Sequence, residues 1–290
     1  MASTNTEVEG INYYTIYETP HNGNPTAPCI LLVHALMSNL NMYDATVSAL
    51  HAAGYATLRF DHVGHHNTPP PAARTTSQRR MSVGEGSLVY HMDDITRHMH
   101  QLVKERTGGA RLKGVVGCSI GGVLALRYAM MFPEEVECVV SIAAPGIAAP
   151  EDKKVLWSER IKVFEEDARS GGDRLCRETV ARWFPGEDRE TEAVRAEALT
   201  HVRTCSLEGY KLLADTIRNY DYRAEVGGIR NRCLIAGGTE DGAISLPALK
   251  ELASQIQGAK YVELEKAGHL PPMQQPEKFN KLLLDMLGSA

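Results

Sequence analysis

The residues with most chemical potential are a serine, an acid and a histidine set far apart in the chain. Gly117-Cys118-Ser119-Ile120-Gly121 fits the pattern G-x-S-x-G, where an apolar run turns into a helical pattern. A serine on a sharp strand-to-helix turn has its hydroxyl lifted clear of the backbone. Side chains two positions to either side would collide there, so glycine stands at both. Such a serine is a candidate nucleophile, but a hydroxyl needs a base, and the base needs an orienting acid. His269 in "LEKAGHLPP" is the candidate base and Asp241 in "AGGTEDGAIS" the candidate acid, with Glu240 as its rival. The order serine, acid, histidine is the one expected for a nucleophile on this kind of turn. The alkoxide of the reacting carbonyl requires backbone donors. The N–H of Ile120 is one candidate and that of Leu36, in "LLVHALMSN", the other, with Ala35 and Met37 as its neighbours. Cys118 rivals Ser119 in principle only, since its side chain should point into the core when Ser119 points out.

Other residues invite competing assignments. Asp61, His62, His65 and His66 in "DHVGHH" are ligand types that zinc accepts. Their order matches no zinc signature, so a metal-dependent hydrolase is the runner-up class and no metal or other cofactor is expected. His91, His98 and His100 share a helix with Asp93 and Asp94 and are expected on its solvated face. His34, Met37, Trp157 and Trp183 are candidates for the substrate pocket; His34 also reads as a structural histidine at a strand end, and the tryptophans as packing between helices.

These residues need a scaffold that brings them to one edge. Strands are expected at Ile11 to Glu18, Cys29 to His34, Ala56 to Asp61, Gly114 to Cys118, "VECVVSIAA", Cys233 to Gly238 and "KYVELE". "CILLVH" is apolar throughout, as in a strand buried on both faces. Leu88, Met92, Ile95, Met99 and Leu102 step by four and three, which predicts a helix. "TPPPAA" is a loop because consecutive prolines exclude regular structure. Helices are expected at Ile120 to Phe132, 247 to 257 and from about Glu277. From about Pro145 to Tyr222 strands stop, and helical spacing links Trp157, Ile161 and Phe164, then Leu175, Val180 and Trp183, then Tyr210, Leu213 and Ile217. The fold class is therefore α/β, a mostly parallel sheet flanked by helices, with residues 1–144 and 223–290 as the core and 145–222 as an inserted helical cap. An insertion at the carboxyl edge of the strands would lie over the site.

Composition bounds the partners. A net charge of −5 gives no basic footprint, so no nucleic-acid or membrane partner is expected. A small-molecule substrate is expected, and self-association as a homodimer stays open. The first ten residues have neither the basic nor the apolar segment of a secretory leader, and none of the six cysteines forms a C-x-x-C pair. A reducing, cytoplasmic location is the expectation.

The stretches "LLVHALMSNLNMYD", "RFDHVGHHNT", "GCSIGGVLALRYAMMFPEEV", "ARWFPGE", "IAGGTEDGAIS" and "KAGHLPPMQQPEKFNKLLLDML" resemble the α/β-hydrolase superfamily, and more narrowly the 3-oxoadipate enol-lactonase branch and related esterases. The resemblance runs over most of the chain. It implies a serine nucleophile, an acid and a histidine at Ser119, Asp241 and His269, and no cofactor. The function expected is hydrolysis of a small ester or lactone through an acyl-enzyme. The same triad could cleave a carbon–carbon bond in a β-diketone or ring-cleavage product, and the fold could serve as a non-catalytic ligand-binding protein.

Overall fold

The computed structural model describes residues 2–20, 23–70 and 90–288. Most of "TPPPAA" beyond Pro70 and the expected helix start at Leu88 lie outside them. Eight strands form one sheet: β1 (Ala2–Val8), β2 (Ile11–Glu18), β3 (Cys29–Val33), β4 (Ala56–Phe60), β5 (Leu112–Cys118), β6 (Val136–Ile142), β7 (Arg232–Gly238) and β8 (Lys260–Leu264). Their order is β1-β2-β4-β3-β5-β6-β7-β8. The β1–β2 and β2–β4 pairs are antiparallel, and the rest of the sheet is parallel. All five residues of β3 are buried, which explains why it reads as a continuous apolar run. The strand β1 carries no such signal. It is an edge strand of mostly polar residues, paired on one side only.

Helices cover the sheet. They are α1 (Asp44–Ala52), α2 (Met92–Thr107), α3 (Ile120–Met131), α4 (Lys154–Ser170), α5 (Arg174–Trp183), α6 (Arg189–Val202), α7 (Leu207–Ile217), α8 (Leu246–Ser254), α9 (Pro271–Gln274) and α10 (Pro276–Gly288). The helix α3 is buried from Ile120 to Ala129, so its sequence is apolar on every side. The helix α2 buries Ile95, Met99 and Leu102 and stops at Gly108, whose φ of 69° suits a glycine cap.

The insert between β6 and β7 holds four helices, α4 to α7. One of them, α6, was not expected, because only a few apolar positions, Ala198 and Val202 among them, are buried along an otherwise charged stretch. Its start is fixed by Asp188, whose side chain accepts from the Thr191 N–H at 2.9 Å. The two ends of the insert pair with each other: Ala149 N–H donates to the Tyr220 carbonyl at 2.9 Å and Tyr222 N–H to the Ile147 carbonyl at 3.0 Å.

Two of the three helix histidines do not form the solvated face expected of them. His98 is 2% exposed, and its Nδ1 lies 2.9 Å from the hydroxyls of both Tyr13 and Tyr90. The β1–β2 hairpin covers this face of α2, and His98 Nε2 meets Glu9 at 3.2 Å. His100 stacks on Phe132 at 3.8 Å and bonds Glu135 at 2.7 Å. All six cysteines are buried and unpaired. Among the described residues no helix is long and apolar enough to cross a membrane.

Candidate active site

The turn from β5 into α3 places Ser119 at φ 59° and ψ −120°, a region that L residues rarely occupy. The turn is held by Ser119 N–H donating to the Ile142 carbonyl at 2.8 Å and Gly122 N–H to the Ser119 carbonyl at 2.9 Å. The flanking glycines are sterically obligatory. A Cβ on Gly117 would lie 1.9 Å from the Gly121 carbonyl oxygen, and one on Gly121 would lie 2.2 Å from the Val33 carbonyl oxygen. Cys118 points the other way, fully buried, with its thiol 3.4 Å from the His269 carbonyl. Burial pushes that thiol far above its ordinary pKa, so it carries no thiolate.

The loops after β7 and β8 interlock. A Cβ on Gly238 would strike the Ala267 carbonyl oxygen at 2.0 Å, so glycine lets the two loops touch. Glu240 N–H donates to the Ala267 carbonyl at 2.9 Å, while the Glu240 side chain is exposed. Asp241 turns inward. Its Oδ1 accepts from Ala243 N–H at 2.7 Å and Ile244 N–H at 3.0 Å, and its Oδ2 lies 2.8 Å from His269 Nδ1. Burial acts to raise the Asp241 pKa, but His269 and the two backbone donors outweigh it and hold the carboxyl below its usual range. An ionised Asp241 makes Nδ1 of His269 the protonated nitrogen and leaves Nε2 free to act as a base.

His269 is fixed from above as well. Its N–H donates to the Trp183 carbonyl at 2.7 Å, and its ring lies 6.0 Å from the Trp183 ring in a stacked arrangement. Gly268 permits this approach, since a Cβ there would fall 2.1 Å from the Trp183 oxygen. Pro271 and Pro272, behind His269, open the short helix α9.

Ser119 and His269 line one cavity of about 320 Å³, together with Leu36, Met37, Trp157 and Trp183. His34 does not line it. That ring is fully buried beneath the loop, where Nδ1 bonds the Ala35 carbonyl at 2.8 Å and Nε2 accepts from His62 N–H at 2.9 Å. The "DHVGHH" segment supports the same loop. His62 Nε2 donates to the His34 carbonyl at 3.0 Å, and His65 Nε2 accepts from Met37 N–H at 3.1 Å. Met37 is held at φ 67°. Its N–H is therefore occupied, whereas that of Leu36 has no partner among the described residues. Burial pushes His62 down to about 3 and His65 to about 4, so both are neutral and their tautomers are set by these bonds. Their ring nitrogens are engaged with backbone, and among the described residues no three His, Cys, Asp or Glu side chains converge as metal ligands. His66 stands apart, at φ 45° with its backbone N–H on the Thr204 carbonyl.

The same cavity takes in side chains that pattern reading passed over. Arg160 of α4, Thr179 and Arg182 of α5 and Tyr210 of α7 all line it. The signal for them is helical spacing: Arg160 follows Trp157 by three, and Arg182 follows Thr179 by three, on the faces turned to the sheet.

Residues 28–276 match the model of the alpha/beta hydrolase fold family. The enol-lactonase of Burkholderia xenovorans superposes with a TM-score of 0.80 at 27% identity, covering 98% of this chain and all of that one. The monoacylglycerol lipase abhd6-A of Xenopus laevis is 27% identical over 223 residues, which are 71% of this chain and 65% of the lipase. A pimeloyl-[acyl-carrier protein] methyl ester esterase from Aromatoleum aromaticum is 27% identical over 186 residues, 60% of this chain and 73% of the esterase. With a parallel sheet, a serine on its strained turn and a histidine–carboxylate pair at one edge, the chain belongs to the alpha/beta hydrolase fold family and is a hydrolase.

Proposed function

We propose that the protein cleaves a small carboxylic ester or lactone through an acyl-enzyme on Ser119. The observation that carries this reading is the 2.8 Å bond between His269 Nδ1 and Asp241 Oδ2, with Ser119 on the same cavity at φ 59°. His269 Nε2 takes the Ser119 proton as Oγ attacks the carbonyl carbon. The oxyanion is held by the N–H groups of Leu36 and Ile120, the first left free because His65 occupies only its neighbour. Collapse of the adduct breaks the bond to the leaving oxygen, which takes the proton from His269. In a lactone that oxygen stays on the acyl group. Water then gives a proton to His269 and its oxygen to the acyl carbon, and Ser119 is released. The cavity suits a small substrate, and the printed activities of similar proteins (enol-lactonase, methyl ester esterase) are of this chemistry.

The test is intact-protein mass spectrometry after exposure to a fluorophosphonate. One adduct on the wild type and none on Ser119→Ala is the expected result. A folded wild type that takes no adduct, or a variant that still turns over aryl esters, overturns the mechanism.

A further inference from the structure

The roof of the cavity carries charge that the ester chemistry does not use. Arg160 and Arg182 line the cavity from α4 and α5 and are half-buried. Among the described residues neither forms an ion pair with a carboxylate. Arg160 lies over the Trp157 ring at 5.1 Å, and Arg182 Nη2 donates only to Thr179 Oγ1 at 3.2 Å. Glu178 on α5 is engaged at 2.7 Å by Arg174 on the exposed side. Burial, with Arg160 close by, pushes Arg182 down to about 10. Two like charges thus share a recessed space with no counter-ion, a costly arrangement that an anion would relieve.

We propose that Arg160 and Arg182 form a carboxylate subsite in the roof, so that the substrate is an ester or lactone bearing a second, acidic group remote from the carbonyl that Ser119 attacks. Guanidinium suits a carboxylate because it offers paired donors in one plane. The apolar lining between, from Leu36, Met37 and Trp157, fits the carbon chain or ring that separates the two groups. The inference rests on the serine-hydrolase reading for the ester end only. The anion subsite itself can be tested without turnover.

The test is calorimetric binding of 4-phenylbutyrate, its neutral amide and phenyl phosphate to the wild type, to Arg160→Gln/Arg182→Gln and to Arg182→Lys. The wild type should bind the carboxylate at least about tenfold tighter than the amide, the worth of one charged hydrogen-bonded contact. The double variant should lose that ratio and Arg182→Lys keep part of it, with melting temperatures reporting that both are folded. Equal binding of acid and amide by the wild type overturns the subsite. A carboxylate preference that survives in the folded double variant places the anion elsewhere, at the oxyanion donors, and also overturns it. Tighter binding of phenyl phosphate than of the carboxylate overturns the assignment to a carboxylate. Failure of fluorophosphonate labelling leaves this ratio intact, so the two readings fail separately.

Discussion

The floor and the roof of the cavity are built on different principles. The floor is backbone held against backbone. Gly117 touches Gly121, Gly121 touches the end of β3, Gly238 touches Ala267, and each contact is closer than any Cβ allows. The roof is helix and side chain: α4 and α5 carry ion pairs outward and arginines and aromatics inward. The floor has one solution, which fixes the reacting atoms. The roof keeps its shape while its inner side chains vary, which is how one scaffold accepts different substrates.

The sharpest way to break the floor is through its chemistry. Asp241→Asn keeps the size of the side chain but cannot hold His269 with Nδ1 protonated. A fall in kcat of about 10³–10⁴-fold is expected, with the thermal melt still cooperative. Steady-state kinetics on an aryl ester checks it, and a fall of only a few-fold would mean that Glu240 or solvent replaces the acid. The floor can also be broken sterically. Gly117→Ala sets a methyl 1.9 Å from a backbone oxygen, and the elbow must shift as a unit. A loss of roughly 3 kcal/mol in chemical denaturation is expected, together with loss of activity.

How much of this was legible in the chain follows from the same contrast. The elbow could be read because steric exclusion forces glycine at two named positions whatever else the sequence does. The choice between Glu240 and Asp241 could not. Both sit in one loop, and only the N–H groups of Ala243 and Ile244 turn Asp241 inward. Arg160 was hidden by its helix, since Trp157, Ile161 and Phe164 already account for an apolar face on α4. His98 was misjudged because the surface that buries it comes from β1, whose polar alternation marks no strand. Local patterns report contacts near in sequence or forced by geometry, and these four depended on distant partners.

One residue joins floor to roof. His65 accepts from Met37 N–H on the oxyanion loop and lies 3.3 Å from Cys205 Sγ in the insert. Its pKa is depressed by burial to about 4, so the fold binds it neutral while the unfolded chain binds a proton below the ordinary imidazole range. Stability from His65 is complete above about pH 6.5 and declines as pH falls towards 4. His34 and His62 slope the same way. Asp61, raised by burial to about 7, slopes the opposite way, since its anion is disfavoured in the fold up to that pH. Three imidazoles outweigh one carboxyl, and the wild type should be less stable at pH 5 than at pH 7. In His65→Asn that difference should shrink by about 2 kcal/mol, whatever the variant's absolute stability. Urea unfolding of both proteins at the two pH values measures it. An unchanged difference would show that His65 does not titrate on unfolding.

The smallest effect expected lies on the outer side of the roof, and it tests whether the two sides of one helix differ as claimed. Arg174 and Glu178 sit one turn apart on α5 and pair at 2.7 Å, with both side chains largely in water. Solvent screens the attraction, and holding two long side chains together offsets most of what remains. Arg174→Ala should therefore leave the melting temperature within the scatter of repeat scans and leave kcat/KM for any ester unchanged. Arg182, on the same helix but facing the cavity, should show the reverse pattern, with little change in melting temperature and a large change in the selection of acidic over neutral ligands. If Arg174→Ala also altered that selection, the roof would act as one electrostatic field. The local subsite would then be the wrong description, because Glu178, released from Arg174, would be free to compensate Arg160 and Arg182 through the helix.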